Sequence, residues 1–305
     1  MAERKQVFVA YAARDPTLAA GIMDAVRKAN ALPLPVLYEP WPFNDIAGNQ
    51  LVSPILEKID ESPFVVVDIT DLNLNVVYEI GFTIGKCKRA FLVRHKLTAG
   101  DKDIAKAVGI FDTIGYHQYD DFEDLKNRLA AHIEETNLPF STALDRKSPV
   151  DLIEPPKRAA DVGVMVSRIK KAGYGRYRSF TPEEDSRLSA TDAIRQVAAS
   201  SGVFIPLQET AVAGSKVHNI RCMFVAGLCD AWASLSSSCR RPATRHRSTS
   251  ATTRNNGISQ PTFTTLWRTS ARGLSSTPAR LSHPASIAPL FCSLSRLATR
   301  ALRTR

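Results

Sequence analysis

The sequence predicts an α/β fold, in which a doubly wound parallel sheet of about five strands is followed by a partial, degenerate second copy and a disordered tail. Apolar runs alternate with amphipathic helical patterns over the first 140 residues, which is typical of a parallel sheet with helices on both faces. The segment from Tyr177 to Leu207 tracks the segment from Tyr38 to Asp68 at a constant offset of 139. After residue 230 the apolar periodicity stops.

Residues 1–140 carry five predicted strands and four predicted helices. Short apolar runs predict the strands at residues 7–11, 34–38, 64–69, 90–93 and 110–116. The first helix is expected to begin at Asp15-Pro16, because Asp is a favoured N-cap and Pro a favoured first helical residue. Apolar stripes predict the other helices from Leu51 to Ile59, from Val76 to Lys86 and from Phe122 to Ile133. This order predicts a flavodoxin-like domain that closes near Pro139.

The second copy is predicted at residues 158–230, after a proline-containing linker at residues 141–157. Residues 164–169 are interpreted as a strand or a helix face, and residues 219–228 align with residues 73–82. Val225 stands where Glu79 stands in the first copy, and Leu207 stands where Asp68 stands. The second copy therefore lacks both acids. Chance similarity between two α/β segments is the alternative to duplication.

The tail at residues 231–305 carries the whole positive excess of a chain whose formal net charge is +10. It holds twelve Arg residues and no Lys, Asp or Glu, so the first 230 residues are close to neutral. One interpretation is a disordered basic arm that contacts nucleic-acid phosphates. The other is out-of-frame translation of a GC-rich gene, which would truncate the second copy. The break inside a recognisable helix and the absence of Lys favour the frameshift.

Neither secretion nor a membrane is indicated by the sequence. No signal peptide precedes the first strand, and no apolar run of about twenty residues occurs. The five cysteines are scattered without the spacing of a metal site. A cytoplasmic protein without membrane contact is the expectation.

The strongest functional signal lies between a predicted strand and the helix that follows it. Asp68 closes the strand, and Asn73, Asn75, Tyr78 and Glu79 follow within twelve residues. Ligands bind at the carboxyl ends of strands in open α/β sheets, so these side chains predict a polar pocket. Structural alternatives remain open: the two Asn residues as turn and N-cap residues, Tyr78 as a core residue, and Glu79 as a carboxylate favoured by the helix dipole.

A family resemblance rests on the same residues. The pattern Asp-x-Thr-x-x-Asn-x-Asn-Val-x-Tyr-Glu-x-Gly at residues 68–81 resembles the TIR-like and nucleoside 2-deoxyribosyltransferase-like superfamily, including prokaryotic TIR-like nucleotide-binding proteins. Residues 7–11 are similar to the first conserved box of TIR domains. The resemblance covers residues 5–136 and, more weakly, residues 160–228. Thr83-Ile84 departs from the Ala-His that relatives often have.

The resemblance implies cleavage of an N-glycosidic bond at a ribose. TIR enzymes split NAD into nicotinamide and a linear or cyclic ADP-ribose product, whereas the transferases exchange bases on deoxyribose. Glu79 is then implied as the catalytic residue, with Asp68 assisting. NAD is the substrate, and no cofactor or metal is implied. The resemblance also suggests an immune or stress effector that self-assembles through its TIR-like domains.

The chemistry explains why such residues are needed. The transition state resembles an oxocarbenium ion, which a nearby carboxylate stabilises or attacks. Ribose hydroxyls are expected to bind Asp68, Asn73 and Asn75, and an anionic pyrophosphate favours helix N-termini, here those near Asp15 and Ile46. Tyr11, Trp41 or Phe43 is expected to stack on the base. For Trp41 and Phe43 the alternative is a role in packing alone. Beside an NAD hydrolase, the candidates are a non-catalytic nucleotide-sensing and assembly module and a deoxyribosyltransferase.

Overall fold

The computed structural model describes residues 3–40, 52–96, 102–131, 133, 147, 150–156, 160–171, 173–174, 176–182, 185–238 and 290–293. All of these residues belong to one compact unit. The helices and strands, in chain order, are β1 (Lys5–Ala10), α1 (Pro16–Asn30), β2 (Val36–Pro40), α2 (Val52–Glu61), β3 (Val65–Asp68), α3 (Leu74–Gly85), β4 (Ala90–His95), α4 (Lys102–Val108), α5 (Ile110–Ile114), β5 (His117–Tyr119), α6 (Phe122–Ala130), β6 (Val150–Ile153), α7 (Ala160–Lys171), β7 (Arg178–Phe180), α8 (Ala190–Ala198), β8 (Gly202–Ile205), α9 (Ser215–Ser238) and β9 (Leu290–Ser293).

The first sheet confirms the predicted parallel α/β architecture. Its strands lie in the order β2-β1-β3-β4-β5, and every neighbouring pair is parallel. This is the strand order of flavodoxin-like folds. The first helix begins where it was predicted, because the Asp15 side chain accepts hydrogen bonds from the backbone N–H groups of Thr17 and Leu18. The parallel order brings the carboxyl ends of all five strands to one edge of the sheet.

The predicted fifth strand at residues 110–116 is wrong. Residues Ile110–Ile114 form the short helix α5, and the fifth strand is β5, three residues further on. Gly109 and Gly115 flank the helix at φ values of 85° and 76°, which allow the chain to turn sharply at both ends. The apolar, β-branched residues favoured a strand, but tertiary packing decided otherwise.

The second sheet contains the parallel order β7-β6-β8, which repeats the order β2-β1-β3 of the first copy. Its central strand β6 lies inside the predicted linker, so that prediction is wrong for residues 150–153. Residues 164–169, left open between a strand and a helix face, lie in helix α7. Pro155 and Pro156 directly follow this buried strand and do not mark a linker. Proline is excluded from the interior of a strand, but it is allowed in the residues that follow one.

The predicted tail boundary at residue 231 is also wrong. Helix α9 continues to Ser238, and its residues Ala231 and Trp232 are buried. Residues Leu290–Ser293 form strand β9, which pairs antiparallel with β8. These four residues depart from the expectation of a disordered tail. They supply hydrogen-bond partners to the edge of β8, which would otherwise present free N–H and C=O groups. Residues 239–289 and 294–305 lie outside the described residues.

One hydrophobic core is shared by the two copies. It contains Val67 and Leu92 from the first sheet, Val203 from the second, and the facing sides of α3 and α9. A separate cluster covers the opposite face of the first sheet, where α1 and α6 pack. The second copy therefore packs against the face of the first sheet that carries α3.

Helices α3 and α9 approach to backbone contact through two glycines. A Cβ atom on Gly81 would overlap the carbonyl oxygen of Phe224, and a Cβ atom on Gly227 would overlap the carbonyl oxygen of Tyr78. In the alignment of the copies, Gly81 corresponds to Gly227 and Tyr78 corresponds to Phe224. Exchanging the two copies thus exchanges the two contacts, as a twofold axis would. This symmetry favours duplication over chance similarity.

Candidate active site

Helix α3 places the candidate catalytic residue one turn from the carboxyl edge of the first sheet. The helix begins after Asn73, whose side chain accepts hydrogen bonds from the backbone N–H groups of Asn75 (2.7 Å) and Val76 (3.2 Å). The N-cap interpretation of Asn73 is therefore confirmed, whereas Asn75 lies exposed in the first turn. Glu79 follows in the second turn, so the cap fixes the direction in which the helix presents it.

The Glu79 carboxyl group is partly buried and has no local electrostatic partner. In the described part of the chain, no hydrogen bond or ion pair reaches its side-chain oxygens, and its backbone oxygen accepts from Thr83 Oγ1 at 2.7 Å. Desolvation by burial raises the pKa of Glu79 to about 8. The group is thus mostly protonated at neutral pH. A carboxyl group kept neutral by its surroundings is a common feature of active sites.

Asp68 lies at the end of β3 and is engaged with its own protein. It is 2% exposed. Its Oδ1 accepts from the backbone N–H of Thr70 at 2.9 Å, and its Oδ2 accepts from the Tyr119 hydroxyl at 2.8 Å. Burial raises the pKa of Asp68, and these hydrogen bonds oppose the rise. The carboxylate thus joins β3 to β5 across the intervening β4. The sequence predicted the position of Asp68 at the end of the strand but not these hydrogen-bond partners.

The structure does not gather the predicted residues on one face of the sheet. Tyr11 and Tyr119 belong to the core cluster on the α1 and α6 face, and burial raises the pKa of Tyr11. Glu79 and Tyr78 lie on α3, on the opposite face. Asp68 points toward Tyr119 and therefore away from Glu79. Trp41 and Phe43 lie outside the described residues.

Of the two helix N-termini predicted to bind a pyrophosphate, only the one near Asp15 lies within the described residues. The first turn of α1 is already capped by the Asp15 carboxylate. A bound carboxylate occupies the N–H groups that an anion would need, so this terminus is a poor phosphate site. The other terminus, near Ile46, lies outside the described residues.

Tyr78 connects the two copies. Its hydroxyl donates a short hydrogen bond to Oδ2 of Asp230 on α9. The alternative of a core role for Tyr78 is therefore closer to its observed position than a role in substrate binding. Asp230 was missed from the sequence because the tail was predicted to begin at the next residue.

We expect the hydrogen bond between Tyr78 and Asp230 to stabilise the contact between the copies. Tyr78→Phe removes the donor and leaves a half-buried carboxylate, so the free energy of unfolding should fall by about 1–3 kcal/mol. Adding Asp230→Asn to Tyr78→Phe gives a double-mutant cycle, read by urea denaturation, in which the pair should show a coupling energy near 1 kcal/mol. Strictly additive effects of the two substitutions would contradict this assignment.

Arg94 is a second residue that the sequence reasoning missed. It interrupts the apolar strand β4 near its carboxyl end and is 3% exposed. A single arginine in an apolar strand was the available signal.

No group of three His, Cys, Asp or Glu side chains that could hold a metal ion occurs in the described ranges. Among these same residues, no helix combines the length and the apolar character needed to cross a membrane.

Comparisons of the chain with protein-family models, with curated proteins and with solved structures found no match. The geometry of the carboxyl edge and the sequence pattern at residues 68–81 are therefore the observations on which a function rests.

Proposed function

We propose that this protein cleaves the N-glycosidic bond of a nucleotide, with NAD as the substrate and Glu79 as the catalytic group. The observation that carries the proposal is the partly buried Glu79 carboxyl group near the carboxyl edge of the sheet, which has no partner among the described residues and whose pKa burial raises to about 8. Within the resemblance to TIR-like enzymes, this position is the catalytic one. The products would be nicotinamide and ADP-ribose or its cyclic form.

The proposed reaction uses the charge of the substrate. The bond between the ribose carbon and the nicotinamide nitrogen breaks, and its electron pair leaves with the ring, which becomes neutral. The ribose carbon becomes oxocarbenium-like, and the Glu79 carboxylate stabilises that positive charge. Water then forms the new bond to the ribose carbon and loses a proton to the carboxylate. A site with low polarity strengthens the attraction between this carboxylate and the cation.

A non-catalytic sensing and assembly module is the second candidate, and two observations favour it. Both oxygens of Asp68 are occupied by Tyr119 and Thr70, so the assisting acid is not free to act. Tyr78, next to Glu79, is bound to Asp230 across the contact between the copies. In such a module the nucleotide would bind and remain intact.

The test uses the whole chain, because the two copies share a core. The purified protein is incubated with NAD, and nicotinamide is measured by chromatography. A parallel reaction contains a deoxynucleoside and a second free base. Nicotinamide release that is lost in Glu79→Gln supports the proposal. Base exchange without NAD loss identifies a transferase, and NAD that binds but stays intact identifies a sensing module; either result overturns the proposal.

A further inference from the structure

Arg94 presents a buried cation, two of whose three donor nitrogens have no hydrogen-bond partner in the described part of the chain. The side chain is 3% exposed, and neither Nε nor Nη2 makes a hydrogen bond there. Leaving charged donors unsatisfied in the interior costs free energy, so such groups are normally paired. A buried guanidinium with free donors is therefore an unexplained feature of this fold.

The alternation of side chains explains why Asp68, on the neighbouring strand β3, does not pair with Arg94. Asp68 is the register partner of Val93, the residue before Arg94. Asp68 points to the face that holds Tyr119, as does Val93. Successive residues in a strand point to opposite faces. Arg94 therefore lies on the other face, where its guanidinium carbon stands 5.7 Å from the centre of the Tyr116 ring.

The location matches that of a ligand group. Arg94 is the penultimate residue of β4, a strand next to β3 within the parallel sheet, so it lies near the edge where such sheets bind ligands. It shares its face of the sheet with α3, the helix that carries Glu79. The planar guanidinium matches the geometry of phosphate oxygens and binds them through two parallel donors. A phosphate would supply both the missing charge and the missing acceptors.

We propose that Arg94 binds a phosphate group of the nucleotide at the carboxyl edge of β4. That the anion belongs to a nucleotide rests on the proposed function, whereas the anion site itself rests on Arg94 alone. With this assignment, phosphate and reacting carboxyl group are held on the same face of the sheet, from β4 and from α3.

The experiment measures the binding of inorganic pyrophosphate, ADP and uncharged adenosine by titration calorimetry. The proteins are the full-length chain, Arg94→Gln, Arg94→Lys and the control Arg89→Gln, which removes the same charge immediately before β4 begins. We expect Arg94→Gln to weaken pyrophosphate and ADP at least tenfold, which is about 1.4 kcal/mol. Adenosine should bind all four proteins equally, and Arg89→Gln should match the unmodified chain.

Two outcomes overturn the proposal. One is pyrophosphate that binds Arg94→Gln as it binds the unmodified chain, and the other is an unmodified chain that binds neither pyrophosphate nor ADP. If Arg94→Gln fails to fold, Arg94→Lys decides, because it keeps the charge but loses the paired donors: a tenfold loss supports the site and an unchanged affinity rejects it. Glu79→Gln should still bind pyrophosphate, so anion binding without nicotinamide release would reject the hydrolase and retain the anion site.

Discussion

Glu79→Gln is expected to lower the rate of nicotinamide release by roughly 10³-fold, since removing one group that stabilises transition-state charge typically costs about 10²–10³-fold and this carboxylate is the only charged group assigned to that task. Glutamine keeps the size of the side chain and removes its ability to ionise. The rate is measured with purified full-length protein and NAD. Glu57→Gln makes the same change at an exposed position of α2 and should keep full activity.

The same substitution, which lowers activity, is expected to raise the stability of the folded protein near neutral pH. The pKa of Glu79 is raised from its ordinary value of 4.5 to about 8 in the folded state, so the folded protein holds a proton that the unfolded chain releases between these pH values. Its contribution to stability is fully present below pH 4.5 and declines by about 1.4 kcal/mol per pH unit as the pH rises toward 8. Glu79→Gln should remove this decline, which urea denaturation across the range would detect.

The pH profile of the reaction separates catalysis from structure. The carboxylate form is the active one, so kcat/KM for NAD should rise about tenfold per pH unit on the acid side and level off above pH 8. A profile that is flat between pH 5 and 8, or that falls as the pH rises, would contradict the assignment of Glu79 as the reacting carboxylate.

Gly227→Ala is expected to have the largest effect on folding. An added methyl group would overlap the carbonyl oxygen of Tyr78, and the backbone nitrogen of Phe82 also lies within contact range. Neither backbone atom can move aside without separating α3 from α9. We expect a loss of about 3 kcal/mol in the free energy of unfolding, at the upper end of the cost of overpacking. The symmetric Gly81→Ala should have a similar effect, measured by urea or thermal denaturation.

The control is Gly163→Ala on helix α7. Nothing lies within 4 Å of a Cβ atom built at Gly163. Alanine is the better helix former, so this substitution should stabilise the protein by as much as about 1 kcal/mol. The two substitutions are chemically identical and are expected to differ in sign. If Gly227→Ala also stabilised the protein, the close approach of the two helices would be refuted.

Local chemistry made part of this structure predictable. Asp15 and Asn73 are caps whose hydrogen bonds reach only two or three residues along the chain, and a cap of this kind is visible in the sequence. The apolar run at residues 64–67 fixed β3 in the same way. The acid at position 79 was located correctly on α3, because helix period and sequence pattern agree there. Its catalytic role remains a prediction.

Long-range contacts made the rest unpredictable. Residues Ile110–Ile114 have strand-like composition, and their helix is held by packing against α8, where the backbone N–H of Ala190 donates to Thr113 Oγ1. The role of Asp230 depends on Tyr78, which lies 152 residues earlier. Likewise, the unsatisfied donors of Arg94 among the described residues are seen only in the fold, where strand alternation turns Asp68 to the opposite face. Such facts belong to the assembled fold and have no local signature.

The symmetric crossing of α3 and α9 resembles the seam between two identical subunits, yet here both sides belong to one polypeptide. A seam formed within one chain cannot dissociate on dilution, because its halves are always present at high effective concentration. Mutations also become independent: a change in one half is no longer copied into the other. Val225, at the position equivalent to Glu79, illustrates the result. Under the proposed function, the half that carries Val225 lacks the reacting acid and serves as the structural partner of the other half.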